Sequence, residues 1–137
     1  MIDIKNSFNL AVDEKFLNNI TKLYTTKDIE LMITDDKTIK NLNQKYRDIN
    51  KPTDVLSFVY KDIDILGSIV ISFDFIVEQS NEFDHSLEDE FKILYIHGLL
   101  HLVGFDHEKD NGKQTKEELM LIKKFKLNKS LTTRSCV

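Results

Sequence analysis

His97, His101 and His107 are three of the chain's four histidines, and they fall in one short run, His97-Gly98-Leu99-Leu100-His101-Leu102-Val103-Gly104-Phe105-Asp106-His107. Residues four apart on a helix share a face, with Cβ atoms about 5–6 Å apart. Two imidazoles at 97 and 101 can therefore reach one metal ion at about 2.0–2.1 Å each. Gly104 can take the left-handed conformation that ends a helix. The chain can then double back and bring His107 round as a third ligand. Three protein ligands leave one tetrahedral position for water, the layout of a catalytic site rather than a closed structural one. A single histidine among leucines is ordinarily a packed or half-exposed ring. A third histidine after a helix-ending glycine sets this run apart. His85, the fourth, follows Phe83-Asp84 and precedes a helix start, so a place in a surface loop is expected for it.

With 137 residues, 41% hydrophobic and 31% charged, the chain reads as one domain, 1–137, of a globular protein with a substantial core. Its start has neither the basic region nor the apolar run of a secretory signal. The longest apolar stretch, around Ile93 to Val103, is too short to span a bilayer and carries two histidines. No membrane association and a cytoplasmic location are the expectations. Cys136 is the only cysteine, which excludes a disulfide framework and a thiolate cluster for structural zinc. A net charge of −4 argues against indiscriminate nucleic-acid binding. The charge is unevenly spread, however. After Glu118 no acidic residue follows, while Lys123, Lys124, Lys126, Lys129 and Arg134 form a basic tail over about 123–137.

The elements that must position these groups follow from periodicity. Ile2-Asp3-Ile4 suits a short strand. Asp13-Glu14 open a helix carrying Phe16, Leu17, Ile20 and Tyr24 at helical spacing. Ile29 to Thr34 is β-like. Asp35-Asp36 can cap a helix in which Ile39, Leu42 and Tyr46 share a face. Val55 to Tyr60 and Ile69-Val70-Ile71 read as two strands of a hairpin. The pattern turns helical after Ser72. Ser86 with Asp89 resembles a capping box opening the long apolar helix that carries His97 and His101. A last amphipathic helix, about Gln114 to Phe125, is expected to turn Leu119, Ile122 and Phe125 inward. The fold class is α+β: a mixed sheet of about four strands flanked by about five helices.

A second constellation, Asn43-Gln44-Lys45-Tyr46-Arg47 followed by Lys51-Pro52-Thr53-Asp54-Val55-Leu56-Ser57-Phe58, joins a helix end to a strand through a rigid loop. Arg47 there either forks two donors onto a phosphate or favours the negative end of its own helix.

Together the two stretches resemble the YbeY family of bacterial metal-dependent endoribonucleases, which act in ribosomal RNA maturation. The resemblance rests on Asn43, Tyr46-Arg47, Pro52 to Phe58, Leu66-Gly67, Ile69 to Ile71 and the run His97 to His107. It covers roughly the middle half of the chain. One departure is Ser68, where an acidic residue is expected after Leu-Gly.

The resemblance implies a mixed sheet flanked by helices with one zinc ion held off the central helix by His97, His101 and His107, although other divalent transition ions accept imidazole too. It implies single-stranded RNA of the pre-ribosomal small subunit as substrate, ribosomal protein as a further partner, and catalytic roles for Arg47 and His97. Lys45 and Lys51 are candidates for holding the RNA backbone. Asp106 either orients an imidazole or simply solvates the helix exit. Zinc brings the pKa of a bound water to about 7, which leaves two routes open: attack on phosphorus, or removal of the ribose 2′-hydroxyl proton. Two other readings stand beside this one. One is a non-catalytic ribosome-assembly factor with a structural metal. The other is a metallopeptidase, because metzincins share the histidine and glycine spacing; Gly98 here replaces their catalytic Glu.

Overall fold

The computed structural model describes residues 2–61, 64–106 and 109–127. Among these, four strands form one sheet: β1 (Ile2–Asn6), β2 (Asp28–Thr34), β3 (Val55–Val59) and β4 (Ile65–Ser72), in the order β1-β2-β4-β3. β1, β2 and β4 run parallel, and β3 returns antiparallel along β4 as an edge strand. Five helices flank the sheet: α1 (Glu14–Thr21), α2 (Asp36–Arg47), α3 (Phe73–Glu82), α4 (Leu87–Leu102) and α5 (Lys113–Phe125). The α+β class with a mixed sheet is as the sequence implies.

Strand alternation divides the side chains between two layers. Ile29, Leu31, Ile33, Val55, Ile69 and Ile71 point to one face and form the main core with α1 and α4. Leu56 and Val70 point to the other face, where Ile39 of α2 covers them. α4 is apolar all round because it lies between the sheet on one side and α3 and α5 on the others. Leu94, Leu99 and Leu100 are fully buried there, each stabilising the fold by about 1.5–3 kcal/mol.

The helix starts follow their capping residues. Asp35 accepts from the Thr38 amide at 2.8 Å, and Ser86 from the Asp89 amide at 3.0 Å. The hydrogen bond from the Thr38 amide holds the Asp35 carboxyl below the usual carboxylate range.

Three details depart from expectation. Leu119 is 48% exposed; α5 turns Gln114, Glu118, Leu121 and Ile122 inward instead. α1 ends at Thr21, so Tyr24 packs on the core from beyond the helix. His85 lies in the α3–α4 connection, yet its side chain is only 3% exposed, with Nε2 at 2.5 Å from Glu90 Oε1. Glu90 is itself fully buried, and that contact draws the ring inward. Of the basic tail, the part from 128 onward lies outside the described residues.

Candidate metal centre

α4 fixes the two histidines. Its last turn closes with the Phe105 amide on the Leu100 carbonyl at 2.9 Å and the Gly104 amide on the His101 carbonyl at 3.1 Å. That pair of bonds is a Schellman cap, and Gly104 at φ +106 supplies the conformation it needs. One turn earlier, α4 presses on the sheet at Gly98. A Cβ there would stand 2.9 Å from Ile69 Cγ2, 3.1 Å from Val55 Cγ2 and 3.2 Å from Ser57 Oγ. Ser57 also donates to the Gly98 carbonyl at 2.8 Å. The helix therefore sits so close to β3 and β4 that position 98 has no room for a carboxylate.

His97 and His101 meet as helical spacing requires. Their Nε2 atoms are 3.1 Å apart. The other ring nitrogen of His97, Nδ1, lies 2.9 Å from Glu118 Oε2. Gln114 donates to the same carboxylate oxygen at 3.1 Å, and both Gln114 and Glu118 are fully buried. A buried carboxylate needs donors, so Nδ1 carries the proton and Nε2 presents its lone pair towards His101. Two imidazole lone pairs at this separation suit a shared cation. Ligands about 2.0–2.1 Å from a tetrahedral ion stand about 3.3 Å apart. The donor set therefore fits a divalent transition ion such as zinc.

Among the described residues no cluster of three metal-ligating side chains forms. His107 lies outside the described residues. Asp106 is half-buried just past the cap, with its carbonyl accepting from the Lys109 amide at 3.0 Å.

Arg47 is the last residue of α2 and is exposed, as are Lys45 and Lys51. Asn43 donates to the Lys51 carbonyl at 2.9 Å, which holds the loop against α2 one turn before Arg47. α2 itself packs on the sheet face opposite α4, through Ile39 against Leu56 and Val70.

Sequence reasoning missed Gln114 and Glu118. Their signal was phase: spaced by four, they continue the buried stripe of Leu121 and Ile122. It also missed Glu30. Ser68 stands where an acid was expected, and Glu30 is its cross-strand neighbour on β2. The Glu30 carboxylate lies 3.3 Å from Ser68 Oγ and 3.2 Å from the Tyr60 hydroxyl.

The family model described as Endoribonuclease YbeY matches residues 3–128. A relative in Aliarcobacter butzleri, named Endoribonuclease YbeY, is 52% identical over 98% of this chain and 99% of its own length. One of the same name in Nautilia profundicola is 48% identical with the same coverage. The solution structure of TM1509 from Thermotoga maritima superposes with a TM-score of 0.57 at 29% identity, covering 92% of each chain. The buried Glu118–His97 pair, the close-packed Gly98 and the mixed sheet thus occur in a chain that belongs to the YbeY endoribonuclease family.

Proposed function

We propose that the chain is a zinc-dependent endoribonuclease that cuts single-stranded RNA during ribosomal RNA maturation and the quality control of ribosomes. The observation that carries this reading is the facing of the His97 and His101 Nε2 atoms at 3.1 Å, with Nδ1 of His97 pinned to a buried carboxylate. His97, His101 and His107 would hold the ion. When bound, zinc supplies Lewis acidity towards a phosphoryl oxygen and makes water more acidic.

The remaining work belongs to the chain's own groups. Glu118 and Gln114 keep the His97 ring in one tautomer and one orientation. Arg47 presents a planar fork of donors to phosphoryl oxygens, where negative charge grows during cleavage. Lys45 and Lys51 hold the backbone on either side of it. Asp106 precedes His107 in the sequence and would orient an imidazole of the metal site. The substrate is RNA of the pre-ribosomal small subunit, with a ribosomal protein as docking partner and the cytoplasm as the site of action. Among the described residues no helix is long and apolar enough to cross a membrane.

Peptidase chemistry is disfavoured by the tight contact at Gly98, which leaves no place for the general base of a metzincin. An assembly factor with a structural metal would cut nothing.

The test is a cleavage assay on zinc-loaded protein with single-stranded RNA and with casein, with and without chelator. His101→Ala serves as the control for contaminating nuclease. RNA is cut, casein is not, and the chelator and the His101 variant both abolish cutting. Arg47→Glu keeps its zinc and loses cleavage. Normal RNA cleavage by the Arg47 variant would remove the phosphate role.

A further inference from the structure

Among the described residues, the sheet face turned away from α4 is only partly covered. α2 packs Ile39 against Leu56 and Val70, and the rest of the face remains an open groove of about 440 Å³ floored by β1, β2, β3 and β4. Tyr46, Phe58 and Tyr60 give it aromatic walls, and Met32 and Val70 line its base. Tyr46 meets Phe58 edge to face at 5.3 Å between centroids, and it is 59% exposed, so one ring face is open to the groove and solvent. Glu30 stands at the polar end. Its Oε2 atom lies 3.2 Å from the Tyr60 hydroxyl and 3.3 Å from Ser68 Oγ, two groups that also hydrogen-bond each other at 2.5 Å, and the carboxylate lines the groove.

The balance of charge indicates what the groove takes. Asp3 and Glu30 are matched by Lys5 in the lining and by Lys45 at the rim, whose Nζ lies 5.1 Å above the Tyr46 ring. Arg47 follows Tyr46 directly. A strongly acidic groove would suit a basic peptide. Aromatic walls, an inward acceptor and cations at the mouth instead match a nucleotide, with its ring stacked, its N–H groups inside and its phosphate outside.

We propose that this groove holds one unstacked base of a single-stranded RNA, packed against Tyr46 and donating an amino N–H to the Glu30 carboxylate. The proposal rests on the RNA-cleaving reading given above. Cytosine, adenine and guanine carry an exocyclic amino group that a carboxylate can accept from. Uracil has none, and carbonyl oxygens on both sides of its single N–H face the carboxylate unfavourably. Amino-bearing bases therefore bind more tightly than uracil. Edge strand β3 has Phe58 in the groove and Ser57 against α4, so a strand crossing β3 passes from the base site towards the histidines.

The experiment titrates the full chain with 5′-CMP and 5′-UMP in EDTA and follows backbone amides by NMR. CMP shifts the amides around Tyr46, Val59 and Tyr60 and binds several-fold more tightly than UMP. Tyr46→Ala, at an exposed position where the fold is kept, weakens CMP about ten-fold. Glu30→Gln erases the preference for CMP, because its amide donates to a uracil carbonyl. No shifts at millimolar CMP, shifts elsewhere, or full binding by the Tyr46 variant would overturn the proposal. An arginine-rich peptide filling the groove while CMP does not would overturn it too, and assign the groove to a protein. The same preparation, loaded with zinc, is assayed on single-stranded RNA. Cleavage without CMP binding sinks the base site alone, and CMP binding without cleavage sinks the nuclease reading alone.

Discussion

Glu118 decides how His97 is used. A helical histidine pair alone leaves each ring free to choose its tautomer and to swing about two torsions. The buried carboxylate at 2.9 Å from Nδ1 removes both freedoms, and the Gln114 amide keeps that carboxylate in place. Glu118→Gln weakens the acceptor while keeping the volume. Zinc affinity then falls about 10- to 100-fold, measured by competition with a chromophoric chelator, while the amide spectrum of the protein stays native. Unchanged affinity would mean that Glu118 only fills space. The histidine pair was legible in the sequence because both its members lie on one helix, where spacing alone sets geometry. Glu118 was not, because it reaches His97 from another helix. Reading α5 by residue type put Leu119 inside. Its neighbour Glu118 took that place because hydrogen bonds to His97 and Gln114 satisfy the carboxylate. His85 was misread for the same reason: its partner Glu90 lies beyond the loop, within the start of α4.

At the scale of elements, α4 matters through its distance from the sheet. β3 and β4 come so near that position 98 must be glycine. Gly98→Glu restores the metzincin pattern on paper but places a long charged side chain against Ile69 and Val55. Overpacking costs about 1–3 kcal/mol, and a poorly solvated carboxylate adds several more. The variant unfolds at a markedly lower urea concentration and gains no activity on casein. A stable variant that cuts casein would return the peptidase reading to contention. The helix starts were readable from Asp13, Asp35, Ser72 and Ser86, since an N-cap is a local bond. The sheet order was not. The β3–β4 hairpin was readable because its strands are neighbours in sequence, but the parallel pairing of β4 with β2 joins distant segments and leaves no mark in local periodicity.

Across the whole molecule, the layers are joined by buried polar contacts that set how stability responds to pH. Tyr95 of α4 is fully buried, with its hydroxyl at 2.7 Å from Thr21 Oγ1 of α1. Burial pushes its phenol up to about 12, whereas in the unfolded chain it ionises near about 10. The folded state thus keeps a proton that the unfolded state gives up. Its contribution is complete below about pH 10 and is lost as pH rises to about 12. Urea unfolding at a series of alkaline pH values shows this decline, and Tyr95→Phe makes it shallower. An equally steep decline in the variant would place its origin elsewhere.

The central claim concerns one cation between two rings on α4. Crystals grown with excess zinc and measured at the zinc absorption edge test it most directly. The account predicts one anomalous peak about 2.0–2.1 Å from Nε2 of both His97 and His101, with His107 as the third ligand and Nδ1 of His97 still on Glu118. A zinc-saturated crystal with no peak there, or with the two rings turned apart, would contradict it.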